Sequence, residues 1–439
     1  MKPVLQLALD FVNLSQALRA AHEAAQAGDI WLEAGTPLLK SEGVEAVRKL
    51  RAEFPSHTIV ADMKIMDAGR VEVEIAAKAG ANVVAVLGAA SDSTIADCIE
   101  AAGHYGTRIV VDLAEVADPV QRARQVEAMG AHIVSVHCPI DVQMVGGSPI
   151  ETLKAVAGAV EIPVAVAGGI NSETAPQAVA AGASIVIVGG AISKAPDARS
   201  ATQAILQAME SGEAATTTLY KRVGPEGIRE AFMRCATADI ATAMHHEGHL
   251  PNIMPVQPGL KVVGPAFTVW TYPGDWHRPV TAIDQAAPGD VLVIDVRGEP
   301  PAVWGEQATL SCIQRGLAGV VIHGALRDVA EIRRLKFPAF CTSVCPSAGQ
   351  PKGVGMIGVP LKIGETHIRP GDWIIGDDDG LVVVPQERAV EIANRSLSTV
   401  EREDREIAEI QKGNTLAEVG ELLRWEQQRG QRTASETAE

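Results

Sequence analysis

The 439-residue sequence predicts an α/β protein built from an N-terminal (β/α)8 barrel and a separate C-terminal α/β domain. Three observations carry that prediction. Short runs rich in Val, Ile and Ala recur about every 25 residues through the first 190, the length of a strand, a helix and two short loops. Polar side chains close those runs on their C-terminal side, the active-site face of such a barrel. After residue 210 the beat stops and the texture changes. The chain is also longer than one core comfortably fills. Apolar residues make up 47% of it, yet only 6 Phe, 6 Trp and 3 Tyr are present. Its cores must therefore be aliphatic, which suits buried parallel strands.

The predicted strands fall at 4–9, 30–33, 58–61, 83–87, 108–111, 133–136, 164–167 and 185–188. Helical stretches such as 69–79 and 118–129 lie between them, each followed by a Gly suited to ending a helix. A last helix after Lys194 would complete a barrel over residues 1–210. The small polar run 211–225 reads as a linker. A second domain spans 226–395, where Pro-Gly turns at 258, 273, 288 and 370 divide helices from strands at 291–296, 320–323 and 381–384. Residues 396–439 read as a charged helical tail with a frayed end from Arg429.

Charge and cysteine usage exclude several classes. Lys plus Arg is 38 and Asp plus Glu is 54, a net −16 that repels phosphate backbones, so no nucleic-acid partner is expected. No run approaches 18 uncharged apolar residues and no secretory signal opens the chain, so neither a membrane span nor export is expected. The six scattered cysteines read as reduced thiols in the cytoplasm. Cys341 and Cys345 lack the partners of a zinc site. His245-His246-Glu247-Gly248-His249 departs from the metalloprotease spacing and reads as a helix end. Gly353-Val354-Gly355-Met356-Ile357-Gly358 has the dinucleotide-binding letters, but a strand-like run follows where a helix should stand. Neither NAD nor flavin is expected.

The candidate site lies at the barrel mouth. Asp10 closes strand one, Glu33 strand two, Asp62 and Lys64 strand three, Asp112 strand five and His137 strand six. Asp62 and Lys64 stand two apart on an extended segment, so both should point to one face. The plain alternative is a solvated turn, but the convergence of Asp10, Glu33 and His137 argues for a site. Two carboxylates such as Glu33 and Asp62 suit Mg2+ (or Mn2+). A lysine can stabilise an oxyanion and a histidine can move protons near neutral pH. Strands seven and eight end in Gly168-Gly169 and Gly189-Gly190, where backbone N–H groups can approach a phosphate.

These residues resemble a known family. The runs 5–10, 33–38, 166–170, 188–192 and above all Asp62-Met63-Lys64-Ile65-Met66-Asp67 look like 3-hexulose-6-phosphate synthase, of the orotidine-monophosphate decarboxylase superfamily. The resemblance implies a Mg2+-dependent aldol addition of formaldehyde to D-ribulose 5-phosphate, or its reverse. It also implies Glu33 and Asp62 as metal ligands, Lys64 beside the enediolate, and Asp67 donated across a dimer interface. The related 3-keto-L-gulonate-6-phosphate decarboxylase places an arginine three residues after the strand-six histidine. Ile140 stands there, which favours the aldolase. Pro139 and Val142 depart from the Gly and Gln usual in the synthases.

In the second domain, Trp304-Gly305-Glu306 and Arg327-Asp328, with Glu331 beyond, form the better constellation. Gly305 opens a loop whose N–H groups can face an anion. Arg327 can fork onto a carboxylate, and Asp328 can bind Mg2+. An ordinary Arg-Asp pair after a strand is the plain alternative. The region resembles the family of ribonuclease-activity regulator A and 4-hydroxy-4-methyl-2-oxoglutarate aldolase, a swivelling α/β domain. Its aldolase branch forms trimers or hexamers, and its regulator branch binds a ribonuclease. A fused homo-oligomer built from dimeric barrels is therefore expected, acting on a sugar phosphate and an aldehyde.

Overall fold

The computed structural model describes residues 2–420, so the expected frayed end from Arg429 lies outside the described residues. The described chain divides into two compact units, residues 2–222 with 401–420, and residues 223–400. Among the described residues no helix is long and apolar enough to cross a membrane.

The first unit is a closed barrel of eight parallel strands in chain order. They are β1 (Val4–Leu9), β2 (Trp31–Ala34), β3 (Ile59–Ile65), β4 (Val83–Leu87), β5 (Arg108–Asp112), β6 (Ile133–His137), β7 (Val164–Ala167) and β8 (Ile185–Val188). β1 closes the ring by pairing with both β2 and β8. Side chains alternate between the barrel's inside and outside. Val60, Val83, Ala85, Val110, Ile133, Ala165 and Ile185 fill the interior. The outward set, among it Leu5, Leu7, Leu32 and Val84, packs with the small faces of the surrounding helices, as in Ala17, Ala20 and Ala24 of helix Leu14–Ala25. The aliphatic composition thus appears as an inner plug and an outer shell.

One strand departs from the extended segment expected. β3 runs to Ile65, but its register against β4 shifts between Ala61 and Ile65. Lys64 takes a left-handed φ of 46°, and Ala68 does so again at 52° ahead of helix Gly69–Lys78. Asp62 and Lys64 do meet, but through a bulge that re-aims the strand end, a common device beside active sites.

Two stretches outside the eightfold repeat also belong to this unit. The run 212–222 is tied to the barrel by its own backbone: Ala215 and Ser172 exchange bonds, and Thr217 N donates to Glu173. Helix Ala389–Gln411 begins in the second unit, and from Glu401 onward its residues count with the barrel. Arg405 there is buried, paired with Glu23 and Glu409 and donating to the Ala195 carbonyl.

The second unit is built on a mixed sheet. Its strands are β9 (Met254–Pro255), β10 (Val262–Trp270), β11 (Val291–Asp295), β12 (Gly319–Leu326), β13 (Ala339–Val344), β14 (Met356–Ile357), β15 (Leu361–Ile363), β16 (Thr366–Ile368), β17 (Trp373–Asp377) and β18 (Gly380–Val384). The sheet order is β18-β17-β10-β11-β12-β13-β9, with β14 on β10 and a separate β15–β16 hairpin. β10 to β13 are parallel, and fully buried runs such as Val291–Asp295 fit strands covered on both faces. His245 and His246 fall just past helix Thr237–Ala243, at left-handed φ.

Candidate active site

The mouth residues arrive from five strands, β1, β2, β3, β5 and β6. Lys64 Nζ donates to Asp112 Oδ2 at 2.8 Å and lies 3.1 Å from Asp62 Oδ2. His137 Nδ1 is 2.9 Å from the same Asp112 Oδ2. The other Asp112 oxygen accepts the Ala114 N–H at 2.9 Å. Asp112 therefore holds the lysine and the histidine together, and its side chain is only 6% exposed. Burial alone would raise its pKa, but the hydrogen bonds and charges of His137 and Lys64 hold the carboxyl well below the usual range. Lys64 shows the complement: burial disfavours its charge, yet Asp62 and Asp112 keep the ammonium above its ordinary pKa.

The carboxylates opposite are in the reverse situation. Glu33 is buried and accepts from Gln6 Nε2 at 2.5 Å. Burial, then the nearby Asp62 and Asp10, push its carboxyl well above the usual range. Asp10 stands accessible at the mouth but surrounded by protein; that desolvation, then Asp62, raises its pKa too. Asp62 is oriented by Thr36 Oγ1, which reaches Oδ2 at 2.7 Å and the Asp62 carbonyl at 2.8 Å. Glu33, Asp62, Lys64, Asp112 and His137 line one cavity.

Three mutually repelling carboxylates facing one ammonium leave a local excess of negative charge, and their oxygens are the hard donors a divalent cation takes. The donor set therefore fits Mg2+. Among the described residues no group of three His, Cys, Asp or Glu is arranged to enclose a metal. A cation here would rest on Glu33 and Asp62 and take its remaining ligands from substrate and water, the usual manner of Mg2+.

The other expected residues divide. Gly168 and Gly169 are in the left-handed region at φ 105° and 72°, and a Cβ on Gly168 would stand 2.4 Å from the Cys138 carbonyl. A Cβ on Gly189 would stand 3.3 Å from Asp10 Oδ2. The two glycine pairs thus adjoin the mouth, as expected of strand ends seven and eight. Asp67 is not brought into the cavity. It is exposed beyond β3, near the exposed Met66, Val71 and Ile75. Gln6 and Thr36, which orient Glu33 and Asp62, were missed in the sequence. Gln6 had a signal, a lone polar residue inside the apolar run Val4–Leu9.

In the second unit, Gly305, Glu306, Arg327 and Asp328 do come together. Asp328 Oδ2 accepts the Glu306 N–H at 3.0 Å at the start of helix Glu306–Arg315, and Arg327 Nε lies 3.7 Å from that oxygen. A Cβ on Gly305 would stand 2.4 Å from Asp328 Oδ2, so glycine is needed for this approach. Glu306 itself pairs with Arg334. A second dyad here was also missed: His323 Nδ1, within β12, and Asp295 Oδ1, at the end of β11, 2.7 Å apart. Its signal was the same one used for the barrel, a polar residue closing a parallel apolar run.

Comparison with known proteins agrees with this division. Residues 3–205 match the family model of orotidine 5'-phosphate decarboxylase / HUMPS, and residues 237–383 match that of RraA-like, Aldolase/RraA. The chain is 40% identical over 205 residues to the 3-hexulose-6-phosphate synthase of Mycobacterium gastri, covering 47% of this chain and 99% of that one. Against the Bacillus subtilis (strain 168) 3-hexulose-6-phosphate synthase it is 39% identical over 194 residues, 44% of this chain and 92% of that one. The crystal structure of 3-hexulose-6-phosphate synthase from Salmonella typhimurium is 37% identical and covers 48% of this chain and 100% of its own, with a TM-score of 0.46.

Proposed function

The chain belongs through residues 3–205 to the orotidine 5'-phosphate decarboxylase / HUMPS family and is a lyase; on that premise we propose that its barrel joins formaldehyde to D-ribulose 5-phosphate, or runs the reverse cleavage. The observation that carries the reading is the Asp112 carboxylate holding Lys64 and His137 at 2.8 and 2.9 Å beside Asp62. With Nδ1 bonded to Asp112, His137 keeps Nε2 as its basic nitrogen, suited to take the proton from C1 of ribulose 5-phosphate. The enediolate formed spreads negative charge over O1 and O2, and the Lys64 ammonium stands ready to offset it. C1 then attacks the formaldehyde carbon, and the new alkoxide takes a proton, giving D-arabino-hex-3-ulose 6-phosphate. Asp10 supports the charge balance at the mouth. Gly168, Gly169, Gly189 and Gly190 receive the phosphate.

A Mg2+ (or Mn2+) ion on Glu33 and Asp62 would supply further electrophilic stabilisation of the developing charge. Ile140, 48% exposed just after β6, supports the aldolase over the sugar-phosphate decarboxylase, because an apolar residue supplies neither cation nor hydrogen bond. Paired barrels would bring Asp67 to a neighbour's site, and the exposed Met66, Val71 and Ile75 beside it support such an interface. The test compares two rates of the purified chain: formaldehyde joined to ribulose 5-phosphate, and CO2 released from 3-keto-L-gulonate 6-phosphate. Faster CO2 release would replace the aldolase with the decarboxylase.

For the second unit we propose pyruvate-enolate chemistry, as in an aldolase or oxaloacetate decarboxylase. Arg327 would meet the substrate carboxylate, Asp328 would carry a cation, and the Gly305–Glu306 N–H groups would face the oxyanion. The half-exposed Arg327 beside Asp328 supports this. A non-catalytic protein-binding regulator is the second reading, favoured by the bond that makes Asp328 an N-terminal cap.

A further inference from the structure

One buried tyrosine outside the eightfold repeat touches the loops that follow three consecutive barrel strands. Tyr220 is 9% exposed, and its ring rests on the bare Cα of Gly190: a Cβ there would stand 2.2 Å from the ring's Cε2. Its hydroxyl donates to Gln143 Oε1 at 3.3 Å, and Gln143 Nε2 donates to the Cys138 carbonyl at 2.8 Å. That carbonyl is the group against which Gly168 packs, and Cys138 follows His137 directly. From the β7 exit, Asn171 Nδ2 reaches the carbonyls of Leu219 and Tyr220, each at 3.4 Å. The exits of β6, β7 and β8 are thus spaced around one aromatic side chain.

The tyrosine is itself held tightly. Glu401 Oε1 accepts its backbone N–H at 2.7 Å. The Arg222 guanidinium lies 4.1 Å from its ring centroid and pairs with Glu401 through both terminal nitrogens, at 3.2 and 2.9 Å, with both side chains 8% exposed. Arg222 Nε is buried without a partner. Lys194, on the loop after β8, sits 5.6 Å from the same ring, so the cluster brings two cations to one glutamate beside the glycines. Tyr220, Arg222 and Glu401 all lie outside the shared synthase region: the family model ends at residue 205, and 205 matched residues already take up 99% of the Mycobacterium gastri protein.

We propose that Tyr220, locked by the Arg222–Glu401 pair, is a positioning residue that sets the spacing of the loops receiving the substrate phosphate, so this barrel's phosphate end is completed by chain outside the shared synthase region. A wedge between loops acts on binding geometry, and misplacement of about an ångström is enough to weaken a site severalfold or more. The inference rests on the aldolase reading above.

The test uses the full-length chain and three variants, Tyr220→Ala, Tyr220→Phe and Tyr220→Leu. Two readouts are taken: calorimetric binding of inorganic phosphate, and kcat and KM for ribulose 5-phosphate. Tyr220→Ala should raise the phosphate dissociation constant and KM together, roughly tenfold, with kcat held within about twofold. Tyr220→Phe keeps the ring on Gly190 and should lose under about threefold, the scale of one hydrogen bond. If melting shows the alanine variant unfolded, Tyr220→Leu, which keeps the volume without the flat ring, gives the same contrast with phenylalanine. Unchanged phosphate binding would overturn the proposal. So would tighter binding, which would make the ring an obstruction, or a fall in kcat alone. A wild-type chain that binds no phosphate and joins no formaldehyde would instead remove the aldolase reading itself.

Discussion

The two units use similar polar side chains in opposite ways. In the barrel, the parallel strands deliver Glu33, Asp62, Lys64, Asp112 and His137 into one cavity, where burial strengthens every charge interaction. Asp112 is 6% exposed and bonds two partners that both sit in the mouth. In the second unit, Asp328 is 37% exposed, and its one close bond is spent on the backbone of a helix start. Arg327 beside it is 48% exposed. A charge held inside a closed ring acts on whatever enters, whereas the same charge at an open strand end is partly answered by water and by its own fold. On the proposed reading the barrel residues act on the substrate, and the Arg-Asp pair has a structural duty as well.

That contrast can be broken or sharpened by substitution. Lys64→Ala should lower kcat for the aldol step on the order of 1000-fold while leaving the circular dichroism spectrum unchanged; near wild-type turnover would put the lysine outside the chemistry. His137→Asn should cost about 100-fold, in the range for loss of one proton-transfer group. Asp112→Asn leaves Lys64 and His137 without their shared carboxylate and should destabilise the fold by about 3 kcal/mol. Its folded pKa is depressed, so its contribution is present above the unfolded carboxylate range, near pH 4, and is lost as pH falls through the lower folded value. Denaturant melts at pH 7 and pH 3 should therefore show the gap between wild type and Asp112→Asn shrinking in acid; a constant gap would refute the depressed pKa. Asp328→Ala should cost about 1 kcal/mol as a lost helix cap. Placed in a full-length Lys64→Ala background, it also decides the second unit. Loss of Mg2+-dependent pyruvate release from oxaloacetate would make Asp328 catalytic, and a melting shift alone would leave it a cap.

Much of the barrel could be read from the chain because its strands repeat one local pattern: an apolar run closed by a polar residue or a glycine, with a helical stretch after it. Val4–Leu9, Val83–Leu87, Val164–Ala167 and Ile185–Val188 begin and end where the pattern places them. The polar closers were legible for the same reason. The bulge at Lys64 was not, since a left-handed lysine has no compositional mark and is set by pairing with β4. Thr36 was equally silent, because its bond to Asp62 joins separate strand ends. Residues 211–225 looked like a spacer because they are small and polar, yet Tyr220 and Arg222 there are fastened by Glu401, 181 and 179 positions away. Local composition cannot report a partner that distant.

The most direct test of the central claim is the rate at which the purified full-length chain consumes formaldehyde in the presence of D-ribulose 5-phosphate, followed before EDTA, after EDTA and after added Mg2+. The account predicts rapid consumption, its abolition by EDTA, its return with Mg2+, and no EDTA-sensitive rate at any stage in Glu33→Ala. Consumption that EDTA leaves untouched, or that Glu33→Ala retains with the same metal response, would contradict a cation held at the carboxylates of this barrel mouth.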